Sequence, residues 1–237
     1  HAEEPGYASS ETNVGGVLRS LFAQQRGRRI ITASFASHIH RIQQIADAAM
    51  ADGRKIATLG LSMKKNVRLG RELKVLDIPE SAIIDIEEID KYSPGQICII
   101  STGSQGEPMS ALGLMARGEN KWLKLGEHDT VVLSSHAIPG NESNVNAVID
   151  GLIRMGADVV HSGIMDVHAT GHAQADEIKT YLSIVNPEWF VPIHGEYRHM
   201  VANAKLGELM GVPHDRIVQC EDGDVLELSD DEDTKKD

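Results

Sequence analysis

Short apolar segments alternate with amphipathic segments along most of the chain, and this alternation constrains the fold more than any other feature. Helical spacing of apolar residues predicts helices at 13–26, 37–50, 63–73, 109–115, 142–155, 175–185 and 198–210. Apolar runs predict strands at 28–35, 55–60, 83–86, 97–101, 130–134, 159–161, 189–193 and 225–228. Alternation of this kind is typical of βαβ units. The sequence therefore predicts an α/β fold, a mostly parallel β-sheet with helices on both faces.

The composition indicates a globular, acidic chain. Of the 237 residues, 41% are apolar, which is enough to form a core. The 35 acidic residues outnumber the 23 basic ones, and the net charge of −12 argues against a general nucleic-acid or membrane-binding surface. A local basic channel stays compatible with that charge. The basic concentrations are Lys64, Lys65, Arg68 and Arg71 on one predicted helix, and Arg26, Arg28 and Arg29 before a strand. Such runs are more often solvated faces than RNA contacts.

Neither export nor membrane insertion is predicted. No segment reaches the roughly 18 to 20 continuous apolar residues of a membrane span, and residues 1–10 lack the apolar core of a signal peptide. Two cysteines without CxxC spacing, Cys98 and Cys220, favour a reducing compartment. We therefore expect a cytoplasmic protein without a membrane partner. The first residue is not Met and the chain starts in a loop rich in Pro, Gly and Ser, so we expect a piece of a longer protein.

Three predicted strand-to-helix turns carry hydroxyl groups, and the second and third also carry glycines. They are Ser34-Phe-Ala-Ser37, Ser101-Thr-Gly-Ser-Gln-Gly-Glu-Pro108 and Ser134-Ser-His-Ala-Ile-Pro-Gly-Asn-Glu142. In a parallel sheet such turns lie together at the carboxyl edge, where helix N-termini offer free amides to anions. Capping and turn formation explain any one of them better than ligand binding does. The three turns together with the histidines described next favour a phosphate-rich ligand.

Five of the eleven histidines fall within residues 161–199, and four of them belong to two short motifs that contain glycine. The first motif is His168-Ala-Thr-Gly-His172, which follows an apolar strand and precedes a helix. Its two imidazoles, its hydroxyl and the Gly171 amide can converge on one small anion such as a phosphoryl group. It is not a zincin motif, because Ala169 follows the first histidine and Gly171 interrupts a helix.

The second motif, His194-Gly-Glu-Tyr-Arg-His199, begins at the end of a predicted apolar strand. A rigid strand end is a common support for a metal ligand, although a strand-terminal histidine bonded to backbone is the ordinary alternative. The chain contains no HxHxDH motif, so the ligands of a closed hydrolytic zinc site are missing. His194 alone cannot hold a catalytic metal.

Five segments, taken together and in order, resemble bacterial ribonuclease J, a metallo-β-lactamase-fold nuclease of the β-CASP group. They are Ser34-Phe-Ala-Ser-His-Ile-His-Arg41, Thr102-Gly-Ser-Gln-Gly-Glu-Pro108, Ile138-Pro-Gly-Asn-Glu142, His168-Ala-Thr-Gly-His-Ala173 and Pro192-Ile-His-Gly-Glu-Tyr-Arg-His199. The resemblance covers about residues 3–228. It implies a β-CASP domain at 11–179 and a returning C-terminal strip of the metallo-β-lactamase αββα domain at 180–228. Composition adds an entry loop at 1–10 and an acidic linker or tail at 229–237, a charge run without apolar residues.

The resemblance also implies roles for individual residues. His172 is expected beside the scissile phosphate as an acid or transition-state stabiliser, and His194 as one ligand of a two-zinc site. Ser37, His168, Thr170 and Gly171 are expected to bind the phosphate of a terminal nucleotide together with His172. The family usually has Ser at the position of Thr170, a change that keeps the hydroxyl. The HxHxDH motif, the later metal ligands and the Asp-Ser-Thr-Asn segment of the family are absent from this sequence.

The resemblance implies a zinc-dependent ribonuclease, a 5′-to-3′ exonuclease and endonuclease of RNA processing, including rRNA processing, and decay. This chain is expected to supply RNA-binding residues and to be inactive alone. The alternatives are a nucleotide- or RNA-end-binding module without catalysis and, more distantly, a phosphosugar-binding α/β domain. Expected partners are RNA and other RNA-decay proteins. A homo-oligomer is also expected, because unpaired edges of the strands at 189–193 and 225–228 would favour self-association.

Overall fold

The computed structural model describes residues 1–227 and the backbone of 235–236. The chain forms two compact units. The sheet unit is Ser10–Ala169, and the C-terminal unit combines His1–Ser9 with the chain from Thr170 onward. The predicted domain boundary after residue 179 was derived from a family resemblance rather than from compactness, and it stays a prediction.

The sheet unit contains a five-stranded, fully parallel sheet. Its strands are β1 Arg29–Ala33, β2 Lys55–Leu59, β3 Ile97–Ser101, β4 Asp129–Leu133 and β5 Asp158–His161. Their order is β2-β3-β1-β4-β5, so β1 lies between β3 and β4. In this register Ile31 pairs with Ile99 on one side and with Val131 on the other. The α/β class and the parallel sheet predicted from the alternation of apolar segments are confirmed.

Five helices of the sheet unit cover both faces of the sheet. They are α1 Glu11–Gln24, α2 Ile39–Ala51, α3 Leu61–Glu72, α4 Ala111–Ala116 and α5 Glu142–Arg154. Side chains of α1, α2 and α3 pack with Ile30 in one buried cluster, and those of α4 and α5 pack with Ile31 in another. Adjacent residues of β1 thus enter opposite cores, which is why its sequence is apolar without alternation.

Two predicted details of the sheet unit are wrong. Residues 83–86 do not form a strand, because Ile83 makes only an isolated bridge to Ile56 before a 3-10 helix at Ile86–Lys91. The apolar run there is still buried, since Ile84 and Ile89 pack under the sheet. Helix α2 begins at Ile39, and its cap is His38 rather than Ser37, because the His38 ring accepts a hydrogen bond from the Arg41 amide.

The C-terminal unit contains α6 Ala175–Val185 and α7 Tyr197–Leu209, with a 3-10 helix at His214–Arg216. A small cluster that includes Leu182 and Leu206 joins the two helices. The predicted strand at 189–193 is wrong: Phe190 makes a single parallel bridge to Ile217, and Pro192 has no amide hydrogen for a ladder. The edge expected there for self-association is therefore not a strand edge.

The predicted strand at 225–228 is reduced to Leu226–Glu227, which pairs antiparallel with Lys235–Lys236. Residue 228 and most of the predicted acidic tail lie outside the described residues. Cys98 is a buried free thiol and Cys220 a partly buried one. Among the described residues, no helix combines the length and the apolar character needed to cross a bilayer.

Candidate functional site

The carboxyl edge of the sheet has the topology of a ligand crevice. The turn after β1 leads into α2 on one face, whereas the turns after β3 and β4 lead to α4 and α5 on the other. Loops that leave neighbouring strands for opposite faces open a crevice at the strand ends, where α/β proteins bind ligands. The three hydroxyl-bearing turns of the sequence analysis lie at this edge.

Hydrogen bonds fasten the turns after β3 and β4 to each other. The Gln105 side chain donates from Nε2 to the His136 carbonyl at 2.7 Å and accepts at Oε1 from the Ile138 amide at 2.7 Å. Ser135 Oγ donates to the Ser104 carbonyl at 3.2 Å. Gly106 has a φ of +76°, and a Cβ there would lie 2.5 Å from the Asn144 carbonyl carbon. This edge therefore depends on glycine and on one buried amide side chain.

Arg41 is the largest charged group buried at this edge. It lies on α2 with 0% exposure. Its Nε and Nη2 atoms donate to the two carboxylate oxygens of Glu11 at 2.7 and 2.6 Å. Its Nη1 atom donates to Ser134 O at 2.9 Å, to Ser134 Oγ at 2.6 Å and to Val167 O at 2.9 Å. One side chain thus joins α1, the end of β4 and the residue before His168.

His168 is half-buried beside this network, and its ring lies 5.9 Å from the ring of His136. Burial, and secondarily the charge of Arg41, lowers the pKa of His168 to about 4. The imidazole is therefore neutral at pH 7, with one N–H donor and one acceptor. Within residues 1–227, its buried Nδ1 atom has no hydrogen-bond partner, and neither has the buried Ser34 Oγ after β1. Unpartnered buried polar atoms at a crevice indicate a missing ligand or water.

Ser37 lies at the same edge but is not part of this network. It is exposed in the turn before α2, and only its carbonyl is engaged, by the Ile39 amide. Among the described residues no hydrogen bond joins the Ser37 side chain to His168.

The C-terminal unit brings His172 and His194 together, although they are 22 residues apart in the sequence. Their rings are stacked with centroids 5.9 Å apart, and the His1 ring stacks on the other face of His172 at 5.3 Å. Thr170 Oγ1 accepts a hydrogen bond from the His172 amide at 3.1 Å and lies 3.1 Å from His1 Nε2. The Thr170 hydroxyl therefore shapes the turn that presents His172.

The backbone at His194 is unusual. Its φ is +72°, in the left-handed region, and Gly195 follows with a φ of +113°. Such a conformation at a residue other than glycine is typically retained at functional sites. The other histidine of this motif, His199, has a structural role: its Nδ1 accepts from the Glu196 amide at 3.1 Å and caps α7.

A complete metal site is not present among the described residues, since no three His, Cys, Asp or Glu side chains cluster as ligands. His194 can offer a ligand, but its ring neighbour His172, and His1 on the ring of His172, do not complete a shell. The donor set of the described residues therefore does not fit a zinc centre by itself.

The basic concentrations form few free cationic surfaces. On α3, Lys64 lies 3.4 Å from Asp85, and Arg68 lies 3.7 Å from Glu72. Arg71 pairs with Glu80. At the other end of the sheet, Arg29 makes a bidentate ion pair with Asp129, and Arg28 donates to Thr130 and to the Asp129 carbonyl. Lys64 and Arg68 lie on a solvated face, the commoner outcome for such runs, whereas Arg28 and Arg29 hold the fold.

Sequence reasoning missed Arg41, Glu11 and His136 as parts of the site. A signal for Arg41 was present, because it interrupts the apolar stripe of α2 that includes Ile42, Ile45 and Ala49. A charge on an apolar helix face predicts a buried partner. No comparable signal identifies Glu11, which looks like an ordinary acidic residue in the first turn of a helix.

Comparisons with known proteins identify the family of the chain. Residues 157–216 match the family described as Zn-dependent metallo-hydrolase RNA specificity domain, so the class of protein is that of the metallo-hydrolases. Residues 27–152 match the family described as Ribonuclease J, beta-CASP domain. The chain belongs to this ribonuclease J β-CASP family.

Curated relatives extend the match to almost the whole chain. A ribonuclease J of Mycobacterium tuberculosis is 44% identical over 96% of this chain, and a ribonuclease J 1 of Streptococcus pyogenes is 41% identical over 98%. A ribonuclease J of Helicobacter pylori is 37% identical over 96%. The matched region is 41% of the first two relatives and 33% of the third, so the chain spans well under half of their length.

Proposed function

We propose that this chain is the RNA-binding part of a metal-dependent ribonuclease and that its carboxyl edge binds an RNA phosphate. The observation that carries the proposal is the neutral, half-buried His168, whose Nδ1 atom has no partner and lies at the same edge as the unpartnered Ser34 Oγ. A phosphate offers oxygen acceptors and, when protonated, a donor, and it can satisfy both groups. Membership in the ribonuclease J family supports RNA as the source of that phosphate.

Individual roles follow from the chemistry of each group. The phosphate of a terminal nucleotide is bound through imidazole, hydroxyl and backbone donors, which are those of Ser37, His168, Thr170, the Gly171 amide and His172. His172 acts at the scissile phosphate, where an imidazole can donate a proton to the leaving oxygen or stabilise developing negative charge. Thr170 supports His172 by the hydrogen bond from its amide.

His194 contributes one ligand to a two-zinc centre whose remaining ligands come from outside the described residues. Zinc ions, when bound, supply an activated water and offset negative charge on the phosphate. The relatives are more than twice as long as the matched region, which leaves room for those ligands elsewhere in such proteins. By itself, the chain is catalytically silent.

The whole protein acts as a 5′-to-3′ exonuclease and endonuclease in cytoplasmic RNA processing and decay, including rRNA processing. Its partners are RNA, other RNA-decay proteins and further copies of itself. These assignments extend the family membership to the parent protein.

The decisive experiment for phosphate binding is an NMR titration of the chain with uridine 5′-monophosphate and, separately, with uridine. We expect shifts at His168, Thr170 and His172 with the monophosphate only, and loss of binding in His172→Ala. His214→Ala is the matched control. Like His172, His214 belongs to the C-terminal unit, and its exposed ring pairs with Glu208 close to the charge of Asp215. Equal binding of uridine and the monophosphate would refute phosphate recognition.

A second candidate function is an RNA-end-binding module without catalysis, which the lack of a three-ligand cluster in the described residues favours for the chain alone. A cleavage assay with RNA and added Zn²⁺ addresses it. We expect binding without turnover. Metal-dependent cleavage by residues 1–237, abolished by His172→Ala, would overturn the prediction that the chain is silent.

A further inference from the structure

The buried charge of Arg41 has no packing explanation. It occupies the apolar face of α2, where an aliphatic side chain would fill the space without desolvating a cation. A buried ion pair contributes little net stability relative to an apolar replacement, so its presence points to a geometric requirement. What Arg41 provides is five hydrogen bonds of fixed direction from one planar group.

Those bonds converge on the backbone that carries His168. Arg41 Nη1 and Ser134 Oγ both donate to the Val167 carbonyl, at 2.9 and 2.6 Å. Val167 itself is fully buried, and His168 follows it directly. Because both donors occupy the Val167 carbonyl, the peptide that leads into His168 is fixed in orientation. Glu11 in turn fixes the guanidinium by a bidentate ion pair.

We propose that Arg41 and Glu11 form a positioning clamp that sets the orientation of His168 for phosphate binding. Arg41 acts through the Val167 carbonyl and touches no ligand, so it is a positioning residue. The inference rests on the proposed role of His168 in phosphate binding. Its structural half, the dependence of His168 on Arg41, is separately measurable without any ligand.

The sheet unit contains a matched control. Arg54 is 2% exposed and lies at the amino end of β2, at the opposite edge of the sheet. It donates to Asp52 at 2.7 Å and to the carbonyls of Arg28, Ile97 and Gln25. Arg54 is thus an equally buried arginine with one carboxylate partner and several backbone partners, but it has no link to His168.

The test compares Arg41→Lys with Arg54→Lys. A lysine keeps the positive charge but lacks the planar guanidinium, which binds a carboxylate and backbone carbonyls at the same time. We expect both variants to lower the melting temperature. Only Arg41→Lys should weaken the affinity for uridine 5′-monophosphate. We expect a loss of about tenfold or more, because a misoriented His168 loses its hydrogen bond to the charged phosphate. The affinity of Arg54→Lys should stay within about twofold of the wild type.

Unchanged affinity in Arg41→Lys, or an equal loss in Arg54→Lys, would overturn the clamp. If Arg41→Lys does not fold, Glu11→Gln and Asp52→Asn form a second matched pair, in which each arginine keeps a neutral hydrogen-bond partner. We again expect weaker binding of uridine 5′-monophosphate in only one variant of the pair, Glu11→Gln, and a smaller loss of affinity than in Arg41→Lys.

A ligand-free readout separates failure of the clamp from failure of the proposed function. We expect the His168 amide and ring NMR signals to shift in Arg41→Lys and to stay in place in Arg54→Lys. If the wild type binds no monophosphate while these shifts occur, phosphate binding is wrong and the structural half of the clamp stands. If the His168 signals do not move in Arg41→Lys, the clamp is wrong whatever the protein binds.

Discussion

The two edges of the parallel sheet use the same device, a buried arginine, and leave their surroundings in different states. At the amino edge Arg54 satisfies three carbonyls, and Arg29 pairs with Asp129, so that these polar groups bond one another. At the carboxyl edge Arg41 is satisfied just as fully, but in the described part of the chain Ser34 Oγ and His168 Nδ1 have no hydrogen-bond partner. We call the amino edge the closed edge and the carboxyl edge the open edge, where our proposal assigns these two atoms to a ligand.

The comparison separates polar groups that stabilise the fold from polar groups that our proposal assigns to a ligand. An unpartnered buried polar atom costs about 1 to 3 kcal/mol, so a ligand or water that binds Ser34 Oγ and His168 Nδ1 would offset that cost. The turns after β3 and β4 are rigid at the carboxyl edge because Gln105 joins them. His168 is held in a different way, through the Val167 carbonyl that accepts hydrogen bonds from Arg41 and Ser134.

The largest expected effect tests the closed edge. Arg54→Ala should lower the free energy of unfolding by about 3 to 5 kcal/mol, because it leaves Asp52 and three carbonyls, one buried and two partly buried, without their partner. Urea unfolding measures this loss. The comparison also requires that uridine 5′-monophosphate affinity of the folded variant stays at the wild-type value. Loss of both stability and binding would mean that the two edges are not independent.

The sequence predicts some elements of the sheet better than others. The strands of the parallel sheet were predictable, because a short, mostly apolar run between predicted helices, such as Ile97–Ser101, is typical of a buried strand. The segments at 83–86 and 189–193 are also apolar, but they do not form strands. The first leads into a 3-10 helix, and the second contains Pro192. Short apolar runs indicate burial, and only tertiary context decides whether they pair.

The site shows the same division. Motif spacing predicted that His168, His172 and His194 carry the chemistry, and their roles stay predictions. It could not predict that His168 is neutral, because that property depends on burial and on Arg41, which lies 127 positions earlier in the chain. Electrostatic state is a property of the folded environment rather than of a motif.

An intermediate effect tests the charge state at the open edge. The pKa of His168 is about 4 in the folded protein, below its ordinary value of 6.5. Between these two pH values the unfolded chain binds a proton that the native protein does not, so stability is present above pH 6.5 and is lost as the pH falls toward 4. In His168→Gln the dependence of unfolding free energy on pH should become shallower, by at most about 1.4 kcal/mol per pH unit.

Urea unfolding of both proteins at several values between pH 4 and 7 measures that slope. His128→Gln is the control, because His128 is an exposed histidine of the same unit and is not among the groups that lower the pKa of His168. An unchanged slope in His168→Gln would mean that His168 titrates normally. The open edge would then present a cation near pH 6 instead of a neutral imidazole.

The smallest expected effect compares two serines at the open edge. Ser34→Ala removes a buried hydroxyl that has no partner, so the unfolding free energy should stay constant or rise by about 1 kcal/mol, while affinity for uridine 5′-monophosphate falls. Ser134→Ala removes a hydroxyl that accepts from Arg41 and donates to Val167, and should cost about 1 to 2 kcal/mol. If Ser34→Ala costs as much as Ser134→Ala, the Ser34 hydroxyl has a partner within the folded chain or in bound water, and the open edge has one unpartnered atom fewer. A gain in stability with a loss of affinity would instead identify Ser34 as a group that the fold keeps for its ligand.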